Sequence, residues 1–130
     1  MEKIAEGVRQ EIERRRLKYR GDKPAPRLDG KTIILVDDGL ATGYTMLAAI
    51  KSVKNQNAGK IVVAVPVASI NAAFKVESEV NEFVTLAVAD MPSFAVADYY
   101  QYWTDLSDAE VLSILHPQSP AKRGTPAPKP

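Results

Sequence analysis

Two adjacent carboxylates, Asp37 and Asp38, are followed after three residues by Thr42-Gly43-Tyr44-Thr45. A carboxylate pair can accept hydrogen bonds from two vicinal hydroxyls. Threonine hydroxyls can donate to an anion, and Gly43 lets the backbone approach it closely. A small ligand with a diol at one end and a phosphate at the other would satisfy both halves of this string.

Those side chains act together only if the chain holds them in one place. Thr32-Ile33-Ile34-Leu35-Val36 is a short continuous apolar run, which predicts a strand buried on both faces. Downstream, Met46, Leu47, Ile50 and Val53 fall at helical spacing with Lys51 and Lys54 off the stripe, predicting a helix from Thr42 to about Lys54. The strand would deliver both carboxylates at its carboxyl end. The helix would turn its unpaired N–H groups and positive dipole end toward the loop, forming an anion cradle. Ribose 5-phosphate is a ligand of that shape.

The pattern then repeats. Ile61-Val62-Val63-Ala64-Val65 predicts a second buried strand, Ser69 to Val80 a helix with Ile70, Ala73, Phe74 and Val80 inward, and Phe83 to Val88 a third strand. Such βαβ units imply parallel strands with right-handed crossovers, and ligands that bind beyond the carboxyl strand ends. Residues 32–116 form this α/β core. Before it, residues 1–21 predict a helix with Ile4, Val8 and Ile12 on one face and a basic run that is either a solvated face or a contact for an anion. Residues 22–31, with Pro24 and Pro26, form a connector. Ser107-Asp108-Ala109-Glu110 matches a capping box opening a last helix through Leu112 and Leu115. The proline-rich stretch 117–130 is expected to be disordered.

Composition narrows the chemistry. At 130 residues one domain is expected. Seventeen basic against sixteen acidic residues give a net charge of +1, which offers no bulk attraction to nucleic acid or a membrane surface. The absence of cysteine removes disulfides and thiolate catalysis. The single histidine, His116, reads as a dipole partner at a helix end. No apolar run approaches the ~20 residues needed to span a bilayer, and a cytoplasmic location is expected. No Gly-x-x-x-x-Gly-Lys-Ser/Thr string accompanies the acidic strand, as a P-loop NTPase would require.

Ile33 to Thr45 comprises four apolar residues, two acids, three variable positions and Thr-Gly-x-Thr. It resembles the phosphoribosyl pyrophosphate (PRPP) binding motif of type I phosphoribosyltransferases. Val65-Pro66-Val67-Ala68, Phe94 to Tyr100 and Ser107 to Leu112 extend the resemblance over roughly Glu11 to Leu115. It implies a three-layer Rossmann-like α/β fold, here partial, with a parallel sheet of about three strands. It implies that Asp37 and Asp38 bind the ribose 2′ and 3′ hydroxyls, and that Ala41, Thr42, Gly43, Tyr44 and Thr45 cradle the 5′-phosphate. Phe94 would stack on a base; the alternative reading is a packed aromatic cover over the sheet with Tyr99, Tyr100, Tyr102 and Trp103. The implied reaction displaces pyrophosphate from C1 of PRPP by a nitrogen nucleophile, with Mg²⁺ carried on PRPP and no metal held directly by the protein.

Two departures shape the expectations. Ala41 stands where purine salvage members often carry an aspartate, so it supplies no general base for hypoxanthine or guanine. The stretch from Met1 to Gly30 does not resemble the family's N-terminal portion, which carries the pyrophosphate loop and a lid. A three-stranded sheet without that portion would bare an apolar edge or face. A homo-oligomer, or a complex with a chain supplying the missing half, is therefore expected. The alternatives are a non-catalytic nucleotide- or PRPP-binding regulator and a truncated, inactive domain.

Overall fold

The computed structural model describes residues 2–91 and 93–117. Three strands, β1 (Thr32–Val36), β2 (Lys60–Ser69) and β3 (Glu82–Ala89), form one parallel sheet in the order β1-β2-β3. The crossovers are α2 (Tyr44–Lys54) and α3 (Ile70–Glu77), and a 3₁₀ turn spans Val96–Tyr99. The remaining helices are α1 (Glu2–Arg20) and α4 (Asp108–Leu115). The chain divides into two compact units: Ala25–Trp103, and the segments up to Pro24 and from Thr104 onward. The expected disordered tail lies, from residue 118, outside the described residues.

In the sheet unit, Ile61, Val63 and Val65 of β2 pack against Met46, Ile50 and Val53 of α2 and Ala72, Ala73 and Val76 of α3. Ile33 and Leu35 of β1 and Phe83 of β3 complete the same cluster, so both crossover helices cover one face of the sheet. The opposite face is largely open, although Val62 at its centre is buried. Ile34 and Val36 are exposed, as are Val84 and Val88, and Leu86 is 89% exposed. This corrects the expectation of strands buried on both faces. A continuous apolar run makes both faces suitable for burial, but within this unit α2 and α3 cover only one.

The start of α3 also corrects the sequence reading. β2 runs on to Ser69, whose side chain caps the helix by accepting from the Ala72 N–H at 3.2 Å. With Ile70 as the first helical residue, Ala72, Ala73 and Val76 face inward. Phe74 falls off that stripe and is 66% exposed.

The second unit pairs α1 with α4. The Asp108 carboxylate accepts from the Lys18 ammonium and the Tyr19 hydroxyl, with the Arg14 guanidinium 3.6 Å away. The Lys18 and Tyr19 bonds hold its carboxyl down to about 2. Hydrogen bonds from Arg14 and Arg15 likewise lower Glu11 to about 2. The basic run is therefore partly paired within its own helix: Arg14 and Arg15 with Glu11, and Arg16 with Glu13. His116 sits at the end of α4 as read, its backbone N–H bonded to the Leu112 carbonyl and its ring Nε2 3.0 Å from the Tyr19 carbonyl. Among the described residues no helix is long and apolar enough to cross a membrane.

Candidate functional site

β1 ends at Val36, and Asp37 and Asp38 follow it, both exposed. The Asp38 N–H donates to Asp37 Oδ1 at 3.0 Å, and the Tyr100 hydroxyl donates to the Asp38 carbonyl at 2.7 Å. Leu40 then returns the chain to the sheet. Its N–H donates to the Val67 carbonyl and its carbonyl accepts from the Ser69 N–H, each at 2.9 Å. Glycine is required just before it, because a Cβ on Gly39 would sit 2.7 Å from Val96 Cγ1 and 3.0 Å from Val67 Cγ1.

One hydroxyl fixes the next turn. Ser69 Oγ donates to the Ala41 carbonyl at 2.7 Å while capping α3, so it ties the loop after β1 to the start of the next crossover. Gly43 is buried in the left-handed region at φ 78, where a side chain is strained. It occupies the N-cap of α2, which has no side-chain cap and no acidic residue in its first turn. The first N–H groups of α2 have no partner within their own helix and no capping side chain. With the dipole they form a positive end that suits an anion.

Ala41, Thr42, Tyr44 and Phe94 line one open cleft of about 340 Å³ together with Ser69, Asn71, Lys75 and Met91. Gly43 packs near Ala72, and Thr45 is exposed in the first turn of α2. Asp37 and Asp38 stand at the strand end and do not line the cleft. Phe94 is half-buried and stacks at 5.5 Å with Tyr99, tilted by 36°. The other aromatics do not form a buried cover: Tyr99, Tyr100 and Trp103 are partly exposed, and Tyr102 is 88% exposed.

Ser69, Asn71, Lys75 and Met91 escape a reading of the sequence. The signal available is position, since they lie at the carboxyl ends of β2 and β3 or on α3, where parallel sheets bind ligands. Asn71 and Lys75 are also four residues apart, which puts them on one helix face. The Lys75 ammonium lies 4.7 Å from the centre of the Tyr44 ring, a cation–π contact. Among the described residues, no three His, Cys, Asp or Glu side chains gather into a group able to hold a metal ion.

The sheet unit is thus a parallel α/β domain with paired carboxylates at one strand end and an uncapped helix start beyond them. The phosphoribosyl transferase domain family matches residues 3–103, and the chain belongs to that family. The matched span takes in α1, beginning ahead of Glu11. Proteins from Mycobacterium tuberculosis strains CDC 1551 / Oshkosh and H37Rv, provisionally named phosphoribosyl transferases, are 34% identical over 105 residues. That alignment covers 81% of this chain and 24% of each relative. The crystal structure of TT1426 from Thermus thermophilus superposes with a TM-score of 0.76 at 36% identity, over 88% of this chain and 54% of that one. The chain thus spans about a quarter of the mycobacterial relatives and about half of the Thermus protein.

Proposed function

We propose that this domain binds the ribose 5-phosphate end of PRPP and serves, in the cytoplasm, transfer of the phosphoribosyl group to a nitrogen nucleophile with release of pyrophosphate. Asp37 and Asp38 would accept from the 2′ and 3′ hydroxyls. The backbone from Ala41 to Thr45, with the Thr42 and Thr45 hydroxyls, would hold the 5′-phosphate, and Phe94 would face the acceptor base. The observation that carries this reading is the open N-terminus of α2 at the end of the short loop that begins with the exposed acid pair. Mg²⁺ would arrive on the pyrophosphate oxygens of the ligand. The work of these residues is positioning, which holds C1 in place while its bond to pyrophosphate breaks and a bond to nitrogen forms.

Calorimetric titration with PRPP, with and without Mg²⁺, tests the reading. Saturable binding to the wild type should weaken by roughly 100-fold in Asp37→Asn/Asp38→Asn, as expected for two lost charge-assisted hydrogen bonds. Equal binding by both proteins would refute the assignment.

The open sheet face belongs to the same proposal. Purely parallel sheets are normally covered on both faces. We assign this face to the polypeptide that corresponds to the part of the Thermus chain this one does not overlay, and that polypeptide would bring the pyrophosphate half of the site. Without it, the exposed Val36, Val84 and Leu86 should drive self-association. Light scattering should show association that falls in Leu86→Lys; a monomer across a wide concentration range would contradict this.

A further inference from the structure

A bound 5′-phosphate poses an electrostatic problem at this site. A phosphate monoester carries about −1.5 to −2 charges at neutral pH. Asp37 and Asp38 add two carboxylates in the same loop. The end of a helix supplies only about half a positive charge. A further cation would offset this charge, and among the described residues Lys75 is the only one lining the cleft beside Ala41, Thr42 and Tyr44.

Lys75 is also held in a way that suits the task. Among the described residues it forms no ion pair. By contrast, Lys54 is paired with Glu79 at 2.7 Å and Lys60 with Glu82 at 2.8 Å. Its ammonium rests instead against the face of Tyr44, the first residue of α2. An exposed cation–π contact is weaker than a charge-assisted hydrogen bond to phosphate, so an arriving phosphate can take the ammonium from the ring. The contact meanwhile keeps a flexible side chain near the loop and limits the ordering cost on binding.

We infer that Lys75, reaching over from α3, is a phosphate-binding residue of this site, with the Tyr44 ring as its resting place. The inference deepens the proposed function and rests on it. It makes α3 as well as α2 part of the phosphate site. Asn71 lies on the same face of α3 and lines the same cleft.

The test is calorimetric titration of ribose 5-phosphate into the wild type, Lys75→Ala and Lys75→Arg at low and high salt. Circular dichroism confirms the fold; alanine is a good helix former at this exposed position. Lys75→Ala should bind roughly tenfold more weakly, Lys75→Arg should recover most of that loss, and the deficit should shrink with salt. Arginine would also keep the contact with the Tyr44 ring, so the salt dependence is what a purely structural role would not produce. Wild-type binding matched by Lys75→Ala would overturn this inference and leave the proposed function standing. A folded wild type that binds no ribose 5-phosphate would overturn both.

Discussion

Helices α2 and α4 begin in opposite ways. At α4, Ser107 and Glu110 close a full capping box: the Ser107 Oγ accepts from the Glu110 N–H, and Glu110 Oε2 accepts from the Ser107 N–H at 2.8 Å. Two acids, Asp108 and Glu110, sit in that first turn and complement the dipole. At α2 the N-cap is a buried glycine in the left-handed region, with no side-chain cap and no acid. The first arrangement is what local stability favours. The second leaves donors and positive potential unused and holds the backbone in a conformation few residues adopt. Departures of this kind from local rules are expected at functional or strained sites.

Substitutions at the two helix starts should separate these roles. Gly43→Ala places a side chain at φ 78, with its Cβ 3.4 Å from that of Ala72. It should cost about 1–2 kcal/mol of stability and, by shifting the loop, most of the ribose 5-phosphate affinity. Chemical denaturation and titration on the same variant read both effects. Ser107→Ala should cost about 1 kcal/mol through the lost cap and leave ligand affinity unchanged. If Ser107→Ala weakened binding as much as Gly43→Ala, the division between a stabilising and a binding helix start would fail.

The smallest effect concerns acid. Glu11 and Asp108 have carboxyls lowered to about 2 by their basic and hydroxyl neighbours, and both groups are exposed. A lowered folded-state pKa contributes stability that is present above the ordinary carboxylate value and lost as pH falls through about 2. Solvent screening keeps this contribution small. Helicity followed by circular dichroism should therefore decline modestly as pH drops from about 4.5 toward 2, and Asp108→Asn should flatten the decline. A rise in helicity over that window would contradict the pairing of α1 with α4.

Much of the site is legible in the sequence because its information is local. The order apolar strand, Asp37-Asp38, small residues, Thr42-Gly43-Tyr44-Thr45, helix is written in consecutive residues. So is the Ser107–Glu110 box. β1 and α2 follow from runs of a single periodicity. The parts that are not legible depend on packing between segments. Sequence spacing puts Phe74 inward, yet α3 packs on the sheet through Ala72, Ala73 and Val76, which leaves Phe74 in solvent. Ser69 and Lys75 enter the site only because α3 lies beside the loop after β1. Ile34, Val36 and Leu86 are equally compatible with burial and exposure, since a sequence of apolar residues does not state what covers it.

On the proposed function, the open start of α2 binds phosphate and the capped start of α4 does not. Amide chemical shifts recorded while ribose 5-phosphate is added test it most directly. Saturable shifts at Ala41 to Thr45, absent at Ser107 to Glu110, are the predicted result. No shift in the loop, or equal shifts at both helix starts, would contradict it.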